Sequence, residues 1–87
     1  MNYRYYEPSV YDAPGEQKHR GVVRVAPVIC ADGQTRYAPE ITGPHAFEDE
    51  QKTDGKGMDR TLTSLETARD RIEYWAKQNN FRLEKID

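Results

Sequence analysis

The sequence predicts a small α+β domain in which one amphipathic helix packs on one face of an antiparallel sheet. Two segments rich in Val and Tyr, one of them followed by Asp-Gly, indicate strands and a hairpin. A later segment repeats apolar residues at helical spacing. We expect three strands, and a fourth short strand after the helix is left open. The 87 residues form one domain, 1–87, because so short a chain has no room for a second core.

The first strand covers Tyr3-Arg-Tyr-Tyr6, because aromatic side chains suit a pleated surface. Pro8 limits its extent. Residues 12–18 contain Pro-Gly and are expected to form a loop.

A hairpin follows, in which Val22–Cys30 pairs with Gln34–Ile41. Asp32-Gly33 predicts a two-residue type I′ turn, which sets Cys30 opposite Thr35. With this register one face of the hairpin forms the core face. That face comprises Ala26, Val28, Cys30, Thr35, Tyr37 and Ile41. The opposite face mixes Val23, Val25 and Ile29 with Arg36 and Glu40, and a one-residue slip exchanges the two faces.

Two prolines refine the order of the strands. Pro27 falls at a hydrogen-bonded position of the predicted ladder, so we expect a bulge or a broken ladder there. Pro39 lacks an N–H on the outer side of the third strand. The third strand is therefore expected at the sheet edge, and the second strand in the centre.

The helix is predicted from Thr63-Ser-Leu-Glu66, a capping box in which Thr63 is the N-cap. This helix has an apolar stripe on one side, and its charged residues lie mostly off that stripe. The stripe comprises Leu65, Ala68, Ile72, Trp75, Ala76 and Asn79. Asn79-Asn80 is expected to end the helix, since Asn tolerates the left-handed conformation. Residues 81–86 then alternate briefly, which is why a fourth strand is left open.

Residues 42–61 are polar and rich in Gly and acidic side chains, and are expected to form a flexible loop. Within it Glu48, Asp49 and Glu50 form a consecutive acidic run. We expect the run to be solvated, and it could serve as an acidic docking surface for a basic partner.

Composition argues against several classes of function. The net charge of −2 disfavours a dedicated duplex-DNA binder. No apolar run reaches the length of a membrane span, and the first residues lack the apolar stretch of a signal peptide. We therefore expect no membrane association and a cytoplasmic protein.

Catalytic and metal-binding constellations are weak. Cys30 is the single cysteine, and it shares no ligand spacing with His19 or His45. A thiol on an apolar strand behaves as a small inert hydrophobe. We expect a protein that is not an enzyme, with no catalytic residues, cofactor or metal.

The most suggestive cluster combines tyrosines with arginines in the first 37 residues. Three interpretations stay open: packing of the sheet face, a protein interface, or stacking of single-stranded bases with arginines on phosphates. A central strand apolar on both sides beside a single helix favours the protein interface. We expect a non-catalytic interaction module, an inhibitor or adaptor that blocks a surface, or a homodimer. The alternative is a single-stranded nucleic-acid binder that uses Tyr3, Tyr5 and Arg24. The expected partner-binding residues are Tyr3, Tyr5, Val23, Arg24, Val25, Arg36, Glu48, Asp49 and Glu50.

Overall fold

The computed structural model describes residues 1–8, 18–52, 55 and 57–87. In this part of the chain a four-stranded antiparallel sheet carries two helices. The elements in chain order are β1 (Asn2–Tyr6), β2 (His19–Ile29), β3 (Thr35–Thr42), α1 (Ala46–Glu50), α2 (Leu65–Gln78) and β4 (Arg82–Lys85). The strand order is β3-β2-β1-β4, and α2 packs on one face. The predicted α+β class is confirmed, and the strand that was left open after the helix is present.

The hairpin between β2 and β3 has a different register from the one predicted. Ile29 lies opposite Thr35, and Val28 lies opposite Arg36. The connection has three residues rather than two, because the Cys30 N–H donates to the Gln34 carbonyl at 2.8 Å and the Gly33 N–H donates to the Cys30 carbonyl at 2.9 Å. Gly33 has a φ of +81°, the left-handed conformation that closes three-residue hairpins.

This one-residue change exchanges the faces of β2. Val23 and Val25 face the helix and are buried, so their predicted place on the opposite face was wrong. Ala26, Val28 and Cys30 were wrongly predicted to face the core. Thr35 lies on the same face of β3 as Tyr37 and Ile41, as predicted, but it is at the end of the strand and is exposed.

The core side of β3 was predicted correctly at two positions. Ile41 is buried opposite Val23, and Tyr37 packs against the core while half-buried. The error therefore concerned β2 alone, because the extra turn residue shifts β2 by one position relative to β3.

Neither proline breaks the sheet. The ladder runs through Pro27 without a bulge, contrary to the prediction. The backbone N–H and carbonyl of Tyr37 bond to Thr63 instead of to β2, so the Pro27–Tyr37 pair has no bond to lose. Strand β3 is an edge strand, so the N–H that Pro39 lacks is not needed for pairing with a further strand, and β2 is interior. Both of the predicted strand positions are confirmed.

Helix α2 begins one residue later than predicted. The N-cap is Ser64, whose hydroxyl accepts a hydrogen bond from the Thr67 N–H at 3.2 Å. Thr63 does not act as the cap, because its backbone forms a bridge with Tyr37 at the edge of the sheet. Asn80 adopts a φ of +58° just after the helix, so the predicted helix end is confirmed.

An aromatic cluster lies where α2 meets the sheet. The Trp75 ring is 5.0 Å from the Tyr5 ring and 5.1 Å from the Phe81 ring, measured between centroids. Ala68, Ile72 and Ala76 complete the buried stripe of the helix, while Leu65 is 37% exposed. The predicted stripe is thus confirmed except at its first turn.

Part of the predicted polar loop 42–61 is structured. Residues Ala46–Glu50 form α1, and both Asp49 and Met58 are buried. Residues 53, 54 and 56 of that loop lie outside the described residues, as do residues 12–17 of the predicted first loop.

None of the helices in the described residues is both long enough and apolar enough to cross a membrane.

Candidate functional site: the uncovered face of the sheet

The sheet has one face that no helix of the described chain covers, and we call it the outer face. Because side chains alternate along a strand, residues between the core positions share this face. The outer face comprises Arg4 and Tyr6 of β1, Val22, Arg24, Ala26 and Val28 of β2, Arg36, Ala38 and Glu40 of β3, and Arg82 and Glu84 of β4. The same alternation sends Tyr3, Tyr5, Val23 and Val25 to the core.

An apolar strip runs along the middle of the outer face. Val22, Ala26 and Val28 lie along β2, and Ala38 of β3 lies directly beside Ala26. Val28 is 39% exposed, whereas Ala26 is nearly covered by its neighbours. Arg24 separates Val22 from Ala26 on this face, so the apolar surface is centred on Ala26, Val28 and Ala38, on β2 and the edge strand β3.

Cross-strand ion pairs lie among and beside these apolar residues. Arg24 Nε lies 3.2 Å from Glu40 Oε1 on β3, and Arg4 Nη1 lies 3.5 Å from Glu84 Oε1 on β4. These side chains are well exposed, so each pair contributes little to the free energy of unfolding and is screened by salt. Their main effect is to present both signs of charge in a fixed order across the strands.

One corner of the outer face is aromatic. The Tyr6 hydroxyl donates to Glu84 Oε1 at 3.2 Å, and the Arg82 guanidinium lies 4.0 Å from the centroid of the Tyr6 ring. The His19 ring on β2 lies 5.8 Å from the Tyr6 ring, measured between centroids.

At the hairpin end of the outer face Arg36 Nη2 lies 2.6 Å from Asp32 Oδ2, and this hydrogen bond holds the pKa of Asp32 below its ordinary value.

A β-bulge removes Arg20 from the outer face. Tyr5 pairs with Gly21 and Tyr6 pairs with His19, so Arg20 is an extra residue without a partner on β1. Bulges redirect a side chain in this way. Arg20 turns toward the core, where it is 9% exposed and its guanidinium lies 5.4 Å from the Phe81 ring.

Beneath the sheet Arg20 meets Asp49, which is fully buried. Asp49 accepts hydrogen bonds from Arg20 Nη2 at 2.6 Å and Nε at 3.1 Å, and from the Tyr5 hydroxyl at 2.7 Å. The indole of Trp75 donates to the Asp49 carbonyl at 3.2 Å. Burial, together with the hydrogen bond to Asp49, raises the pKa of Tyr5 far above its ordinary value. We call these side chains of Tyr5, Arg20 and Asp49 the buried polar cluster; its donors and acceptors satisfy each other and attach α1 to the sheet.

Gly21 makes room for this cluster. A Cβ at Gly21 would collide with the Thr42 carbonyl oxygen and would lie 3.1 Å from the Tyr5 ring. The missing side chain lets the Tyr5 ring lie across the β2 backbone and reach Asp49.

Four of the predicted partner-binding residues are unavailable on the isolated chain. Tyr3, Tyr5, Val23 and Val25 lie in the core, with exposures of 9% or less. The prediction that they form an accessible surface was wrong, because the three-residue turn and the strand alternation face them toward α2.

The remaining five predicted residues do not form one surface. Arg24 and Arg36 lie on the outer face. In α1, Asp49 is buried, Glu50 is half-buried with Oε1 2.7 Å from Arg60 Nη1, and Glu48 is exposed. The expectation of a solvated acidic run was therefore wrong for Asp49.

Sequence reasoning missed several residues of the outer face and the inward turn of Arg20. A local signal for the outer face was present in the alternation Tyr3-Arg4-Tyr5 and Val23-Arg24-Val25, which places charge on one face and apolar side chains on the other. No comparable local signal marks the bulge at Arg20.

The described residues contain no group of three or more His, Cys, Asp or Glu side chains able to hold a metal ion. His19 lies on the exposed side of β2, and His45 precedes α1 with Nδ1 3.7 Å from Glu48 Oε2. Cys30 is half-buried just after β2. These three residues occupy separate places in the fold.

Comparison with protein families, with curated proteins and with solved structures finds no match to this chain.

Proposed function

We propose that this chain is a non-catalytic protein-binding module that docks a partner protein on the outer face. The observation that carries the proposal is the apolar strip of Val22, Ala26, Val28 and Ala38, which lies on the interior strand β2 and the adjoining edge strand β3 with charged side chains beside it. Interfaces share this pattern of an apolar centre with a polar rim.

The size of the outer face supports a modest interface. Strands β2 and β3 pair over eight residues, and β1 and β4 pair over four. With about 3.3 Å per residue and about 4.8 Å between strands, the face covers roughly 400 Å² in projection. This is about half of the roughly 800 Å² per partner of a standard interface, so the outer face suits a small interface.

The charge pattern favours a protein over a nucleic acid. Arg4, Arg24 and Arg36 each have an acidic neighbour within 3.5 Å. Nucleic-acid affinity depends on cations that neutralise phosphates, and an arginine already paired with a carboxylate serves that purpose less well. Tyr3 and Tyr5, the side chains on which nucleic-acid bases were expected to stack, are buried. A partner surface with both signs of charge matches the outer face better.

Such a module can act as an adaptor or as an inhibitor that covers a partner's surface. We propose a cytoplasmic setting, because the single cysteine Cys30 leaves no intrachain disulfide to form and suits a reducing compartment.

Neighbouring residues on opposite faces of β2 provide the test. A photo-crosslinking amino acid replaces Val28, which is 39% exposed on the outer face, or Ile29, which is 81% exposed on the other face. In lysate of the native host we expect position 28 to yield a crosslinked protein that position 29 does not. Equal crosslinking from both positions, or none from position 28, would contradict the proposal.

A charge exchange then separates binding from folding. Arg24→Glu combined with Glu40→Arg keeps an opposite-charge pair within the chain but reverses the order of charges shown to the partner. We expect an unchanged unfolding midpoint and weaker affinity for the purified crosslinked protein. Unchanged affinity contradicts contact of the partner with the Arg24–Glu40 pair of the outer face, and crosslinks that disappear with nuclease favour the nucleic-acid alternative instead.

A further inference from the structure

A cavity of about 350 Å³ lies beside α2, on the side of the helix next to the buried stripe. The segment 57–59 forms one wall, and successive turns of α2 form the other. Met58, which is 7% exposed, and the fully buried Trp75 form its apolar floor, and Tyr74, which is 55% exposed, lies at its mouth. This volume falls at the lower end of the range for small-molecule sites, which is about 300–1,000 Å³.

The walls of the cavity are held in place without a ligand. Gly57 has a φ of +74°, and its backbone packs so closely against the Glu50 carbonyl that a Cβ there would collide with it. Arg71 Nη1 donates to the Thr61 carbonyl at 2.8 Å, which ties the segment after the cavity to α2. The indole of Trp75 is fixed by its hydrogen bond to Asp49. A preformed site avoids the cost of ordering its walls when a ligand binds.

The polar groups at the mouth are mostly committed to one another. Asp59 accepts from the Thr61 N–H at 3.0 Å and lies 3.4 Å from Arg71 Nη2. Asp70 is different, because its side chain is 67% exposed and its nearest cation, Arg69, lies 3.6 Å away along the helix surface. The mouth therefore offers a solvent-facing carboxylate beside an aromatic ring.

We propose that this cavity binds a small molecule made of an aromatic ring system and a cationic amine. The ring lies beside Tyr74 and above the floor formed by Met58 and the buried Trp75, and the ammonium lies at the mouth near Asp70. The Tyr74 ring adds attraction for the cation through its π face. This inference depends on the cavity alone and is independent of the outer face.

The probes are 2-naphthylmethylamine and 2-naphthoate, which share a ring system but differ in the sign of charge. Binding to the full chain is followed by two-dimensional NMR. We expect the amine to shift the Trp75 indole N–H and the Met58 methyl, and the carboxylate to bind roughly tenfold more weakly, since it exchanges attraction to Asp70 for repulsion. Equal binding of the two probes, or shifts that spare both reporters, overturns the proposal.

Three surface substitutions assign the parts of the site. Asp70→Asn is expected to remove the preference for the amine while leaving the ring contribution. Tyr74→Ala is expected to weaken both probes. Glu73→Gln, at the adjacent exposed position of α2, is the matched control and is expected to change neither affinity. A loss of preference in Glu73→Gln equal to that in Asp70→Asn refutes the role of Asp70.

Discussion

Replacement of Asp49 by alanine tests whether the buried polar cluster holds α1 on the sheet. The substitution removes the acceptor of two Arg20 hydrogen bonds and of the Tyr5 hydroxyl. Arg20 would then keep a buried guanidinium whose nearest carboxylates, Glu7 and Glu48, lie at 3.7 and 3.9 Å. The cost thus comes from a buried guanidinium left with only longer contacts to more exposed carboxylates, and from a Tyr5 hydroxyl left without its acceptor.

The magnitude is large relative to the stability of so small a chain. Removing one member of a buried ion pair costs about 3–5 kcal/mol. At about 0.05–0.15 kcal/mol per residue, 87 residues correspond to a total free energy of unfolding of roughly 4–13 kcal/mol. Asp49→Ala is therefore expected to remove roughly a quarter or more of the stability and to leave a weakly folded chain.

Urea denaturation measures this loss, with Trp75 fluorescence and far-UV circular dichroism as two probes. Coincident transitions justify a two-state treatment. Glu48→Ala, which removes an exposed carboxylate from the same helix, is the control and is expected to change the midpoint little. The triple variant Tyr5→Phe/Arg20→Met/Asp49→Leu should recover most of the loss, because it leaves neither a buried charge nor the buried Tyr5 hydroxyl without a partner. If Asp49→Ala costs less than about 1 kcal/mol, the reasoning about a desolvated pair fails.

Two further outcomes follow from the same contacts. Ser64→Ala should lower the free energy of unfolding by about 1 kcal/mol, whereas Thr63→Ala should lower it less, and equal effects in urea titrations would contradict the cap assignment. Tyr5→Phe should cost about 1.5–3 kcal/mol at neutral pH, since the hydroxyl donates to a charged group. Folding raises the pKa of Tyr5 above its ordinary 10.0, so this contribution is complete below pH 10 and is lost above it. The difference between Tyr5→Phe and the parent should accordingly shrink in alkaline urea titrations, and a constant difference would refute the shift.

Local patterns in the sequence were sufficient for β1, β2, β3 and α2, but not for α1, which lies in a segment that was predicted to be a flexible loop. Apolar spacing located α2 to within a residue at its start, and the Asn79-Asn80 pair located its end. Pro39 identified the edge strand because a missing N–H is harmless only there. Each of these signals is contained within a few consecutive residues.

The register of the hairpin was not determined by such signals. Asp-Gly suits a two-residue type I′ turn, and Gly also suits the last position of a three-residue turn. Local preference leaves both available, and burial decides between them. The observed register places Val23 and Val25 under α2, whereas the other would put Arg24 there.

The buried polar cluster was out of reach for a different reason. Its three side chains come from positions 5, 20 and 49, and they meet only because a bulge turns Arg20 inward and α1 folds back onto the sheet. An acidic run in a polar segment is usually solvated, so composition pointed the wrong way for Asp49. The burial of Asp49 can be predicted only if its pairing with Arg20 is known, and these two residues are far apart in the sequence.

The turn also determines which surface this chain shows to other molecules. Val28 and Ile29 are both apolar and adjacent, and the register alone decides that Val28 joins the outer face. A shift of one residue would move Val22, Ala26 and Val28 under the helix and bring Val23 and Val25 outward. The positive φ of Gly33 therefore links hairpin closure to the composition of the outer face. Because Val23 and Val25 are among the most buried residues, the packing that stabilises the core also maintains the apolar strip proposed for binding.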